Sequence, residues 1–442
     1  MAKYLQAHLD KIGTGYREPE TFFEIGKHYL ASGSRYDALI AYTDGIYFSR
    51  DPEQILAALA DLKNEGSSDV TNLIENLLAL SLAARFPVAL RSSKVNIPVT
   101  KDVRKLDKSV VVIVDSSGSS FNSPETDFRG TMLEAFRDYF GTLIVGEAGG
   151  LVTGICTEIQ EANPKSVYSV AYLPSEKAGS CVWCKENRTV QQGPGNLAKP
   201  VQYWADIFTS GTRTENVKFI GFGTGPDALL EYAIAAALGA SICMFEEYRE
   251  IMKEVVKNPL YSPLEKIIYM PRYDSVMRAW IGTGLPGFPE DMREIIARAL
   301  HEAYKYVESP FRTEETMVEW DALSDELKDS NLKAADHVVQ KFREIGYKIE
   351  LAEYQEITPV NLTQDEIEIL GAMEHSRWIS ERLTGGWTFG AVKSTEKKTD
   401  PNMKPWSELD DDVREVDKML VGKLPLYLSH FDLALTKVAT KS

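Results

Sequence analysis

The 442 residues carry a formal net charge of −16 and are 44% hydrophobic and 26% charged. That is an ordinary globular composition, long enough for two to four domains at ~100–200 residues each. It excludes a disulfide scaffold, since only Cys156, Cys181, Cys184 and Cys243 occur, and it supplies no Lys/Arg block to neutralise a nucleic-acid backbone. No apolar run approaches the ~18 residues of a membrane span. The amino terminus, MAKYLQAHLDKIG, has no apolar core of a secretory signal. The expectation is a cytoplasmic protein with neither membrane nor nucleic acid as partner.

Residues 1–105 read as all-helical. Phe22, Ile25, Gly26, Tyr29, Ala38 and Tyr42 fall at the offsets of a tetratricopeptide repeat, which this stretch resembles. Small Gly26 and Ala38 let paired helices approach while the aromatics fill the gap. Asp51-Pro52 opens the next helix, with proline near its first position. Asn72 and Asn76 do not fit a second repeat, so a generic helical hairpin is the alternative reading. The expected partner of these helices is another protein or a second copy of the chain.

Residues 106–310 read as α/β. SVVVIV (109–114) is a continuous apolar run, as expected of a strand buried on both faces, and it ends in Asp115 and SSGSS. A helix, TMLEAFRDYF, follows. GTLIVGEAGGLVTGICTEI is then a strand, the pair Gly149-Gly150 and a helix. VYSVAYLP is a third strand. NVKFIGFGTGPDALLEYAIAAALGA is a strand, a Gly-rich turn and an Ala-rich helix, and ASICMF closes the series. Strands alternating with helices predict a Rossmann-like parallel sheet, in which ligands bind beyond the carboxyl ends of the strands. Three such ends are glycine-rich. Glycine lets the backbone come close to a ligand, and the following helix offers N–H groups and a positive dipole end to phosphate. The candidate ligand residues are Asp115, Ser116, Ser117, Gly118, Gly149, Gly150, Thr153, Gly154, Gly221, Gly223, Thr224 and Gly225. There is no GxxxxGK[ST] and no clean GxGxxG, which argues against an ordinary dehydrogenase.

SVVVIVDSSG, LIVGEAGGLVTGI and FIGFGTGPDALLEYAIAAALGA resemble the SLOG superfamily, in particular its lysine-decarboxylase-like branch found at the amino terminus of melastatin-type TRP channels. The resemblance spans residues 106–250 and implies a fold that binds a nucleotide-derived ligand. Members that hydrolyse nucleoside monophosphates carry a glutamate in a PGGxGTxxE signature. Here that position falls at Ala228, or at Leu229 with a one-residue shift, so the acid/base carboxylate is missing and binding is favoured over hydrolysis.

Cys181 and Cys184 form a lone CxxC without a second pair or a nearby histidine, so no metal site is assigned. The loop 175–200 reads as a cover on the site. Residues 246–310 read as helical, interrupted by Pro259, Pro263, Pro286 and Pro289.

In residues 311–442, Thr363 and Glu366 make a capping box. The helix it starts puts Gly371, His375, Trp378 and Arg382 on one face and ends at Gly385-Gly386. Trp387 and Phe389 are expected to pack back, and Ser407 to cap a last acidic helix. EHSRW, GGWTFG, DPNMKPWSEL and REVDKML resemble the RyR domain, first seen in ryanodine receptors and also found alone in bacterial and phage proteins; the resemblance covers residues 316–430. His375, Trp378, Arg382, Trp387 and Trp406 are the candidate ligand residues, able to grip a flat base and its phosphates. Taken singly, each tryptophan reads first as core and His375 as a satisfied helix-face histidine; the ligand reading needs several of them at once.

The two resemblances together predict a sensor of a nucleotide-derived messenger, of ADP-ribose or cyclic-nucleotide type, in a bacterial or phage nucleotide-signalling or defence setting, and an oligomer. Beyond that ligand, no cofactor is assigned. The rivals are an N-glycosidic hydrolase that draws its carboxylate from Asp115, Glu147 or Glu231, and a non-catalytic scaffold.

Overall fold

The computed structural model describes residues 2–63, 68–93, 95–97, 103–115, 125–145, 150–173, 181, 183–190, 195–282, 288–306, 317–352 and 357–438. The chain divides into two compact units, Met1–Arg272 and Tyr273–Ser442.

The first unit begins with six helices, α1 (Ala2–Gly13), α2 (Pro19–Ser32), α3 (Arg35–Phe48), α4 (Pro52–Leu62), α5 (Asp69–Arg85) and α6 (Pro87–Ser92). α2 and α3 form a hairpin turned at Gly33, whose left-handed φ of 81° closes the end of α2. The hairpin is tight because a Cβ on Gly26 would sit 2.5 Å from the Tyr42 ring. α4 starts on the expected Asp51, whose carboxylate accepts from the Glu53 N–H.

The α/β part follows: β1 (Val110–Val114), α7 (Glu125–Ala135), β2 (Gly141–Val145), α8 (Gly150–Ala162), β3 (Val167–Leu173), β4 (Glu186–Thr189), α9 (Gly195–Thr209), β5 (Val217–Gly221), α10 (Pro226–Leu238), β6 (Ser241–Phe245), α11 (Arg249–Val255) and β7 (Ile268–Met270). The strands form a parallel sheet of order β4-β3-β2-β1-β5-β6-β7 among the described residues. β1, β2 and β5 are buried at every position, which is why they read as unbroken apolar runs.

Two details differ from the sequence reading. SICMF is an inner strand, because the short IYM segment pairs outside it as β7. The 175–200 stretch is not all cover: Glu186–Thr189 pairs with β3, and Gly195 already opens α9. Both segments are too short or too polar to show a strand period.

The second unit contains α12 (Asp274–Gly282), α13 (Glu290–Tyr306), α14 (Asp325–Glu344), β8 (Tyr347–Leu351), α15 (Gln364–Thr384), β9 (Thr388–Phe389), β10 (Thr399–Asp400), α16 (Asp411–Gly422), α17 (Leu424–Ser429) and β11 (Leu433–Lys437). Its core joins Trp320, Val338, Phe342, Leu370, Leu424 and Leu428. α15 has the predicted Thr363–Glu366 capping box, and Gly386, at φ 80°, takes the left-handed turn after it. α16 starts at Asp410 rather than Ser407, which lies in a single 3₁₀ turn. β8 and β11 pair antiparallel.

Candidate functional site

In the first unit the chain builds leftward from β1 through β2, β3 and β4, then crosses back to place β5 on the other side of β1. The strand order therefore reverses between β1 and β5, and the crevice beyond their carboxyl ends is where such sheets accept ligands. Asp115 leaves β1 and Gly221 ends β5. The ladder continues one step further, with the Phe222 N–H donating to the Val114 carbonyl at 2.8 Å. Two buried tyrosines anchor the turn that follows. The Tyr248 hydroxyl donates to the Phe222 carbonyl at 2.8 Å and the Tyr232 hydroxyl to the Gly223 carbonyl at 3.0 Å. Burial, reinforced by the Asp115 charge, pushes both phenols up, so they stay protonated donors.

Gly223, Thr224 and Gly225 line the path into α10, whose N-cap is Gly225 and whose first residue is Pro226. The helix start carries its own acid: Asp227 accepts from the Asn196 amide at 2.9 Å and takes part of the positive dipole end. Gly221 has a packing reason to be glycine, since a Cβ there would lie 2.5 Å from the Tyr232 hydroxyl oxygen. Gly154, by contrast, is exposed on α8 with nothing within 4 Å of a built Cβ. Gly150 begins α8 and Thr153 lies in its first turn. Ser116, Ser117, Gly118 and Gly149, like Glu147, fall outside the described residues.

Ala228 and Leu229, the positions that would align with a catalytic glutamate, are buried in α10. Glu231 is buried too and already engaged, with the Lys199 ammonium at 2.6 Å and the Tyr203 hydroxyl at 3.1 Å. Cys156 and Cys243 are core residues, as their apolar neighbourhoods predict. Cys181 and Cys184 are free thiols, with the Cys184 Sγ 3.4 Å from the Cys181 carbonyl.

In the second unit, α15 brings all five aromatic-site candidates into one row. The His375 ring stacks on Trp378 with centroids 5.6 Å apart and meets Trp406 at 5.8 Å. The Arg382 guanidinium lies 5.5 Å from the Trp378 ring and 4.6 Å from the Trp387 ring. Gly371 makes room for Trp406, whose Cη2 would be 3.0 Å from a Cβ there, and the Trp406 Nε1–H donates to Glu368 at 2.7 Å. His375 and Trp387 are buried, while Trp378, Arg382 and Trp406 are half-buried. Phe389, expected to pack back, is 61% exposed because β9 turns it outward.

Both His375 ring nitrogens face protein groups. Nε2 is 2.9 Å from the Lys404 carbonyl, and Nδ1 is 3.6 Å from the Asp417 carboxylate. The imidazole therefore positions the row, and a ligand would meet the tryptophan faces and Arg382. Residues 356–435 match the model of the RyR domain family. No curated protein matches the chain.

The RyR-matched segment is anchored by two residues of EHSRW that the sequence reading left aside. Glu374 and Arg377 are buried. Arg377 Nη2 and Nε reach Glu374 Oε1 at 2.7 and 3.0 Å, and Arg377 Nη1 reaches Glu381 at 2.7 Å. The Lys341 ammonium, from α14 and outside the match, closes on Glu374 Oε2 at 2.6 Å. Burial alone would raise the Glu374 carboxyl, but Arg377 and Lys341 outweigh it and hold it well below the usual carboxylate range. The spacing signal was present: a Glu three residues before an Arg on one helix face is an ion-pair pattern.

Proposed function

We propose that the protein is a cytosolic binding protein for a nucleotide-derived small molecule, acting as a sensor within a bacterial or phage nucleotide-signalling or defence system. One observation carries the reading: the reversal of strand order between β1 and β5 falls where the sequence gathers Asp115 and the Gly-rich turn 221–225. The engagement of Glu231 and the burial of Ala228 and Leu229 favour binding over glycosidic cleavage. In this reading the RyR domain takes a related ligand on its tryptophan faces or relays the signal, and the amino-terminal helices hold a partner or a second copy.

The test is a thermal-shift and calorimetric panel of ADP-ribose, cyclic ADP-ribose, NAD, cyclic mono- and dinucleotides and AMP. A ligand confined to the native state adds about 2.7 kcal/mol at a hundred times its dissociation constant. One nucleotide class is expected to stabilise the protein. Gly154→Leu, which adds bulk into open space on α8, is expected to abolish that effect while leaving the unliganded melting temperature in place. A flat panel, or full binding by the variant, refutes the assignment. Release of free base from NAD or a nucleoside monophosphate would move the hydrolase reading to the front.

A further inference from the structure

A second concave site lies within the first unit, away from the carboxyl edge of the sheet. α10 starts at that edge with Pro226 and returns to the opposite one, where β6 begins. Beside its last turn, at Ala236, Ala237 and Gly239, opens a cavity of about 580 Å³. Its other walls come from the end of α3 (Tyr47, Phe48), from Arg17, Arg50 and Arg85, and from Lys266. That volume is in the range of small-molecule sites, about 300–1,000 Å³.

The charge of this cavity runs against that of the chain. Four cations line it against one acid, Glu265, in a protein of net charge −16. Many of the protein's arginines and lysines pair with a carboxylate, yet none of these four has a carboxylate oxygen within ion-pair distance among the described residues.

Part of the arrangement has a structural reason. The Arg85 guanidinium donates to the Ile46 and Ser49 carbonyls, closing the carboxyl end of α3. Arg17 Nη1 donates to the carbonyls of Ile12 at 2.7 Å and Tyr16 at 3.1 Å. A guanidinium has five N–H donors, so these bonds fix both arginines without exhausting them. Lys266 lies 5.3 Å from the Tyr47 ring and Arg17 5.8 Å from the Phe48 ring. Burial pulls Arg85 down with only Tyr47 opposing, as expected of a cation that lacks a counter-charge. The dipole ends of α3 and α10 account for one or two such cations, not for four converging on one hollow.

We infer that this cavity binds a multiply charged phosphorylated small molecule, held by Arg17, Arg50, Arg85 and Lys266 over the Tyr47–Phe48 floor. The site is separate from the glycine-rich edge and stands whether or not that edge binds a nucleotide. Arg17 and Arg85 are pre-set by their carbonyl bonds. Arg50 and Lys266 are exposed and free to close on the anion.

The experiment is calorimetry on the full chain with pyrophosphate and with ADP as probes. The test pair is Arg50→Ala/Lys266→Ala, which leaves the α3-closing Arg85 intact. The control pair is Lys253→Ala/Lys257→Ala, which removes the same charge from exposed positions of α11 and the turn after it. Binding of at least one probe with a dissociation constant below about 1 mM is expected. The test pair should weaken it about tenfold or more at unchanged melting temperature, and the control pair should leave it as in the parent. No binding by the parent, an equal loss in both pairs, or undiminished binding in the test pair would each overturn the inference. A nucleotide bound at the β1–β5 crevice would survive the test pair, so the two sites are told apart in one series.

Discussion

Replacing Glu374 by glutamine tests whether the buried charges at the EHSRW motif hold the second unit together. Lys341, Arg377, Glu374 and Glu381 sum to zero charge, and the change leaves one uncompensated positive charge in the interior. Breaking a buried pair on one side costs about 3–5 kcal/mol. Glutamine keeps one acceptor oxygen, so a loss near 3 kcal/mol is expected. At about 2–4 °C per kcal/mol for a unit of 150–250 residues, the transition should fall by roughly 6–12 °C. Five of the seven tryptophans, Trp280, Trp320, Trp378, Trp387 and Trp406, lie after residue 272, so tryptophan fluorescence during urea or heat unfolding reports mainly this unit. Adding Lys341→Met restores neutrality and should recover part of the loss, which a double-mutant cycle would read as coupling. The sign with pH follows from the depressed Glu374 carboxyl. Its stabilisation is complete above the unfolded glutamate value, about 4.3, and is lost as pH falls below it. The variant should therefore show a shallower acid decline. A loss under about 1 kcal/mol, or an unchanged acid limb, would refute the reasoning.

Other outcomes follow from single contacts. Gly221→Ala should cost about 1–3 kcal/mol in the first unit, because its Cβ meets the Tyr232 hydroxyl at 2.5 Å, whereas Gly154→Ala should be neutral or slightly stabilising; chemical denaturation of both separates packing from ligand space. Burial, with Lys341 beside it, holds the His337 imidazole well below its usual value, so the unfolded chain takes up that proton first. Stability of the second unit should then decline as pH falls below about 6.5, and His337→Leu should flatten the decline in a pH series of melting temperatures. Trp406→Phe removes the bond to Glu368 and the contact with His375; a lowered melting temperature with intact nucleotide binding would make the tryptophan structural, and the reverse would make it a ligand face.

Much of the fold was legible because its signals are local. SVVVIV, TLIV and VKFIG announce strands buried on both faces, and Thr363 with Glu366 announces a helix start. The edge strands β4 and β7 were not legible, since ENRT and IYM acquire strand identity only from the neighbour they pair with. At the candidate sites, sequence named the residues but not their engagements. That Gly221 accommodates a tyrosine, or that His375 spends both nitrogens on Lys404 and Asp417, depends on side chains up to 42 positions away. The cavity at Arg17, Arg50, Arg85 and Lys266 left no trace in sequence, because its walls come from five separated stretches.

The pairing of β8 with β11 brings two distant stretches of the second unit side by side. Leu351, five residues before the RyR-matched segment begins, lies opposite Leu433, two residues before it ends, about 5 Å apart by ordinary antiparallel spacing. A module whose two ends are zipped side by side can be spliced into a host loop, or repeated in tandem, without prying its surroundings apart.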